Sequence, residues 1–475
     1  MNGEENREDE REKFQQEAQQ DIQNVHDEVQ LQDESCPEST EELIRVIICT
    51  TDFLSYYHKE IVFTGTEVIN VSKSTENGEN FEVIQLEKGI EYNLNHLPEI
   101  AEGESFRLYT SGRIILNSVI RQQGNPEYYG DILISKYEKG FLIRNELPLE
   151  EYLYCVVPSE MPAYYSEEAL KAQAVCARTY AYDKILDGGL TEYGAHLDDS
   201  TRYQVYNNIQ QDERTNRAVD ATRGKIMVYD GIPVEAYYYS TSCGLSADET
   251  VWNNEAESCL SYLGNRNIAK NSLSKDYSNE EVFQDFITCY DSNDYEADEP
   301  FYRWNYRIDK INSKGFLNRI INRYKVSPYY ILTEDHKGDY ISQEPKELGD
   351  IQSIEVVKRD KSGSVDELVI YGTKANYKIV TNNEIRYVMA DKDIVFHMAD
   401  ESERSGMTML PSAFFSVTCE KKNGILSSYS VYGGGFGHGV GMSQNAARVM
   451  GELGRTYTEI LSLFFENCEL YEVYK

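Results

Sequence analysis

The sequence predicts an α+β fold. Short β-branched runs dominate residues 43–146 and return after 351. Helical patterns are confined to a few stretches between and after them. Strands and helices do not alternate regularly, which argues against a doubly wound sheet. No period of 20 to 50 residues runs through the chain, so a solenoid is excluded.

The first 42 residues hold fifteen Asp and Glu against three Lys and Arg, with many Gln and a single aromatic. Such a segment cannot bury enough apolar surface to fold, and it reads as a disordered acidic spacer. The folded part is expected over 43–475. LIRVIICTT, EIVFTGTEVINVS, NFEVIQL, GRIILNSVI and GDILISKY are strand candidates separated by Gly, Asn and Asp turn signals. Residues 128–146 read as a hairpin turning at Glu138-Lys139-Gly140.

The stretch 147–182 has two halves. Pro158 and Pro162 bracket Glu160, and each disfavours helix in the residue before it, so Glu160 is expected on rigid non-helical backbone. Ser166 then reads as an N-cap, with Glu167 and Glu168 in the first turn. Leu170, Ala174, Ala177 and Ala181 would form a narrow stripe on this helix, with Lys171 and Arg178 sharing one side. A short helix is expected over 212–223, and then a hairpin around Asp230-Gly231 that runs into the small polar loop 240–244. Residues 271–350 are polar and charge-mixed, with helical patterns near 278–290 and 313–326, and read as a surface elaboration. IQSIEVVKRD, DELVIYG and NYKIVT are strands, the first two joined by a turn at Ser362-Gly363. Helices are expected near 441–447 and 457–465.

The formal net charge of −35, with no basic cluster, excludes a nucleic-acid partner. No stretch of about 18 apolar residues is present to cross a membrane. The nine cysteines contain no C-x-x-C pair, and most sit in apolar runs, so buried free thiols are expected. The glycine-rich run at 433–441 lets backbone approach a ligand closely, with His438 inside it and Ser443 and Gln444 just after. A dinucleotide loop matches it poorly and lacks a βαβ context.

The two motif stretches together resemble the stage II sporulation protein D family, which includes proteins described as amidase enhancers. The resemblance rests on Leu147 to Tyr152, Glu160-Met161-Pro162, Ala169 to Tyr180, Gly433 to Gln444 and Tyr457 to Leu461. Between them lie Gln204-Val205-Tyr206, the Ser240-Thr241-Ser242 loop and Arg303-Trp304, all in the family's order. It covers about residues 43–475, read as one composite catalytic fold with a glycan-binding groove.

The resemblance implies a lytic transglycosylase. It would cleave the MurNAc–GlcNAc bond of peptidoglycan strands stripped of stem peptides, working beside a cell-wall amidase in engulfment or wall remodelling. Glu160 would be the single acid/base. One carboxylate suffices because the muramic C6 hydroxyl attacks C1 and no water needs activating. Lys171, Arg178, Gln204, Tyr206, Ser240, Ser242, His438, Ser443 and Gln444 are the expected substrate-binding residues. Asp198, Asp199 and Glu249 are available as a second carboxylate.

Many sporulation members bind zinc through a Cys/His cluster, whose two cysteine positions are Asp198 and Tyr203 here, and His196 alone does not make a zinc site. No metal or other cofactor is therefore expected. The implied location is extracytoplasmic, facing the wall. The alternative is a non-catalytic glycan-binding module that stimulates an amidase.

Overall fold

The computed structural model describes residues 41–74, 80–97, 99–206, 210–252, 260–269 and 276–474. The expected acidic spacer therefore lies, except for its last two residues, outside the described residues. The folded body runs from Glu42 to Glu472, and of the described residues only Glu41, Val473 and Tyr474 fall outside it.

The fold is α+β. Its described helices are α1 (Leu149–Glu160), α2 (Glu167–Leu186), α3 (Glu213–Ala221), α4 (Glu280–Thr288), α5 (Ser313–Val326), α6 (Asn382–Met389), α7 (Gln444–Glu452) and α8 (Tyr457–Phe464). The hydrophobic interior falls into two large clusters.

The first cluster lies between the N-terminal strands and the helices around α2. Strands Leu43–Ile48, Gly140–Pro148, Asp131–Tyr137, Ser105–Tyr109, Ile69–Ser74 and Asn80–Leu86 pair antiparallel in that spatial order. The hairpin expected at 128–146 closes where Tyr137 pairs Gly140. Helix α2 starts at the expected cap, with the Ser166 hydroxyl accepting the Ala169 N–H at 3.4 Å. Its alanines at 169, 172, 174, 177 and 181 are fully buried. Small side chains let α1, α3, α7, α8 and strand Lys225–Tyr229 all pack against this one helix. It is buried on all sides from Ala172 to Ala181 because it is surrounded.

Two local expectations change. Pro158 does not break the chain: it lies inside α1, and Glu160 is that helix's last residue. Proline disfavours helix in its predecessor without forbidding it. Here burial of Leu149, Leu153, Val156 and Val157 in the first core offsets the cost. Pro162 behaves as expected, holding Met161 extended at φ −133°, ψ 129° and ending the helix. The Asp230-Gly231 hairpin turns as expected, with φ of 50° and 80°, but its second strand stops at Pro233. The chain then crosses over, and Tyr238–Tyr239 pairs parallel with Met442–Ser443.

The second cluster is built on two five-stranded antiparallel sheets with α5 and α6. One sheet contains Ile351–Arg359, Val365–Gly372 and Asn376–Val380, the strands expected there. In the other, Trp304–Ile308 and Phe415–Lys422 flank Ile425–Gly433. Residues 276–350 supply α4 and α5, and they bury Trp304 and Tyr306 in this core. Helix α6 carries no strong cap and was not anticipated, although Ile385, Val388 and Met389 have helical spacing and are buried.

Candidate active site

Strand Ile425–Gly433 leaves the second sheet and continues as the glycine run that reaches the first core. Phe436 and Thr241 exchange main-chain hydrogen bonds of 2.7 and 3.1 Å. Gly441 has φ +74°, and a Cβ there would overlap the Tyr237 carbonyl oxygen, so the position requires glycine. These contacts bring Tyr238, His438 and Gln444 around Glu160, at a cavity of about 770 Å³.

Glu160 is the single carboxylate among the described residues lining this cavity. Its Oε1 accepts the Val205 main-chain N–H at 2.7 Å and the Tyr238 hydroxyl at 3.1 Å. Burial disfavours the charged form and pushes the Glu160 pKa up to about 7, against Val205, Tyr238 and Gln444, which hold it down. Its place at the negative end of α1 acts in the same direction as burial. Gln444 donates from Nε2 to the main-chain carbonyl of Glu160 at 3.1 Å, tying α7 to the end of α1.

Tyr238 is itself oriented. Gln204, nearly fully buried, donates to the Tyr238 hydroxyl at 3.3 Å and to the Ala177 carbonyl at 3.1 Å, and accepts from Tyr152 at 3.2 Å. Gln204 therefore acts on Glu160 through Tyr238. His438 is held on both nitrogens. Nδ1 accepts the Val440 N–H at 3.1 Å, which leaves Nε2 to donate to the Tyr238 carbonyl at 3.0 Å. Burial and the nearby Arg386 lower its pKa to about 4, so His438 is a neutral strut and not an acid. Its ring lies among those of Tyr237, Tyr239 and Trp252. Ser240 lines the cavity directly, together with Tyr203, Trp252 and Phe436.

Other expected binding residues are occupied elsewhere. Arg178 is wholly buried and grips Glu150 through two bonds of 2.7 Å, with further bonds to Thr222 and the Lys225 and Val219 carbonyls. Shared helix side is not shared cavity: this face of α2 points at α1 and α3. Lys171 pairs with Glu167 at 2.8 Å and Glu168 at 2.9 Å on its own helix. Tyr206 is buried and donates to Asn145 at 2.7 Å. Ser242 and Ser443 both turn inward to Glu296. The Ser443 hydroxyl donates to it at 2.6 Å, the Ser242 N–H at 2.9 Å, and the Ser242 hydroxyl to its other oxygen. Glu296 is enclosed and its pKa is pushed up to about 8 by burial. It pins the 240–244 loop to the start of α7, and no pattern in its surroundings announced it.

The alternative carboxylates are likewise engaged. Asp199 accepts from Arg121 and the Cys49 N–H, and Asp198 accepts from Tyr56 and Arg202 at 2.8 and 2.7 Å. Glu249 accepts the Leu260 N–H at 3.0 Å. Among the described residues, no group of three or more His, Cys, Asp or Glu is placed to hold a metal.

Residues 137–229, from the hairpin through α1, α2 and α3, match the family described as stage II sporulation protein. Residues 246–441 match a domain of unknown function. The chain is 27% identical over 327 residues to the amidase enhancer of Bacillus subtilis, the match covering 66% of this chain but only 39% of that protein. It is 27% identical over 341 residues to stage II sporulation protein D of the same organism, covering 69% and 75% of the two chains. An uncharacterized protein of Brachyspira hyodysenteriae is 26% identical over 393 residues, 82% of each chain. The segment matched to the stage II sporulation protein family contains Glu160 and the helix pair that positions it, and the chain is similar to proteins named amidase enhancer and stage II sporulation protein D.

Proposed function

We propose that this chain is a peptidoglycan lytic transglycosylase with Glu160 as its single acid and base. The observation that carries this reading is a carboxylate, the single one among the described residues lining the cavity, with a pKa pushed up to about 7 by burial. At neutral pH a large fraction of Glu160 is protonated. Its proton passes to the glycosidic oxygen as the C1–O4 bond breaks. The resulting carboxylate takes the proton of the muramic C6 hydroxyl as the C1–O6 bond forms, giving a 1,6-anhydro end and restoring the acid. A hydrolase would place a second carboxylate roughly 5 to 9.5 Å away to act as nucleophile or to activate water. Trp252, Tyr203 and Phe436 offer aromatic faces against which sugar rings can stack. The reaction requires no cofactor.

The substrate lies outside the cytoplasmic membrane, so the chain would work on the wall side, beside an amidase that strips stem peptides. Among the described residues, no helix is long and apolar enough to cross a membrane. The name of the Bacillus subtilis relative favours a second reading, in which the cavity binds glycan and stimulates an amidase without cleavage.

One experiment separates them. Purified protein is incubated with amidase-treated glycan strands, and anhydro-muramyl ends are counted by mass spectrometry. Wild type should release them, and Glu160→Gln should lower the rate by about 10²–10⁴-fold while still binding strands. Equal release by both proteins refutes the role of Glu160. Binding without release by wild type supports the non-catalytic module.

A further inference from the structure

The wall of the cavity facing away from the first core comes from α6 and the loop 406–410. It carries a cation without a counter-charge. Arg386 lines the cavity with Glu160, and its Nε and Nη2 donate to the carbonyls of Leu410 and Pro411, each at 2.9 Å. Nη1 has no partner among the described residues, and no described carboxylate pairs with the group. Glu384, on the same helix, is taken by Arg323 through bonds of 2.5 and 2.7 Å. In a chain with 81 acidic against 46 basic residues, counter-charges are abundant, yet this guanidinium is left to two neutral carbonyls. Enclosure without an anion is costly, and burial draws the Arg386 pKa down to about 10.

The backbone that presents it is held under strain. Thr381, the residue before α6, has φ +70°, a conformation unfavourable for a β-branched side chain and characteristic of sites where geometry is imposed. The next residue, Asn382, also lines the cavity. Its Nδ2 donates to Ser364 at 2.6 Å, while its Oδ1 is buried with no partner among the described residues. A neutral ligand would leave Arg386 as it is. A carboxylate placed by a bound glycan would supply the missing charge in a fork geometry that guanidinium groups match.

Resting on the proposed glycan site, we infer that Arg386 is a specificity-determining residue that receives the carboxylate of an acidic sugar, the free lactyl carboxylate of a muramic acid residue near the bond that Glu160 protonates. The peptide carboxylates of unstripped strands are the other source of the same chemistry.

Binding is measured by fluorescence anisotropy with end-labelled strands, in the Glu160→Gln background so that nothing depends on turnover. Three strands are compared: denuded with free carboxylates, denuded with those carboxylates converted to methyl amides, and peptide-bearing. The free-carboxylate strand should bind about ten- to a hundredfold more tightly than either other strand, the range expected for one hydrogen-bonded ion pair. Adding Arg386→Gln, which keeps a donor for the loop carbonyls, should abolish this ratio and leave binding of the methyl-amide strand unchanged. Equal weakening of both denuded strands would mean that Arg386 only supports the 406–410 loop, and overturns the inference. So does a background protein that binds the two alike. Tight binding of the peptide-bearing strand overturns the assignment to the lactyl group. If Arg386→Gln fails to fold, Arg386→Lys replaces it: a partial fall in the ratio is expected, and an unchanged ratio counts against the inference. If no strand binds at all, the glycan reading of the site falls, and the inference with it. Anhydro-end release by wild type tests that reading separately.

Discussion

Replacing Tyr238 by Phe removes one of the two donors on Glu160 Oε1 and little else. The Val205 N–H remains at 2.7 Å, and Gln204 keeps the Ala177 carbonyl at 3.1 Å. The lost bond favours the charged carboxylate, so its absence raises the Glu160 pKa further. Hydrogen bonds to charged groups contribute about 1.5–3 kcal/mol, and 1.36 kcal/mol corresponds to a tenfold change in protonation equilibrium. At 3.1 Å the Tyr238 bond is long for a hydroxyl on a carboxylate, which places it at the low end of that range. The alkaline limb of the pH–rate profile should therefore move from about 7 in the wild type to about 8 in Tyr238→Phe. Initial rates of anhydro-end release from pH 4 to 10 provide the assay. Because the acid must be protonated, activity is lost as pH rises through the limb, and the variant should retain more of its maximal rate at pH 7.5 than the wild type does. A limb that stays in place, or moves down, would refute the assigned role of Tyr238 and the attribution of the limb to Glu160.

Other consequences can be measured on the fold itself. Glu296 has a folded pKa raised to about 8, above its unfolded value, so its contribution to stability is complete at low pH and disappears as pH rises through 8. Between pH 5 and 8.5 the melting temperature of Glu296→Gln should fall less than that of the wild type. Breaking the enclosed Arg178–Glu150 pair by Arg178→Met leaves a buried unpaired charge, and urea unfolding should show a loss of about 3–5 kcal/mol. The double variant with Glu150→Gln should recover part of that loss. Gly441→Ala meets both a positive φ and the Tyr237 carbonyl, so it should cost about 1–3 kcal/mol and lower anhydro-end release.

The main elements were legible where periodicity or turn chemistry is local. The hairpin at Glu138-Lys139-Gly140, the Ser166 cap and the strands after 351 needed only neighbouring residues to specify them. Glu160 was legible as a candidate, but its local backbone was not, because packing of α1 into the first core overrides the preference of Pro158. Arg178 and Tyr206 show the limit of reading motif residues as ligands: both are polar groups satisfied inside the protein. Glu296, Tyr238 and Arg386 were missed for one reason. Each acquires its role from a partner more than 50 residues distant or from a cavity wall, and no sequence spacing records that.

The two-residue parallel pairing of Tyr238–Tyr239 with Met442–Ser443, and the bond from Gln444 to a residue 284 positions earlier, carry a consequence for biosynthesis. Chains are made from the N-terminus and their domains form as synthesis proceeds. Until residues 433–444 have emerged, Glu160 lacks the wall that carries His438 and Gln444, and reduced burial would draw its pKa back toward the ordinary carboxylate range. A nascent or truncated chain ending before that segment would therefore hold more of the acid ionised. The proposed activity would thus come into being only once residues 433–444 have been made.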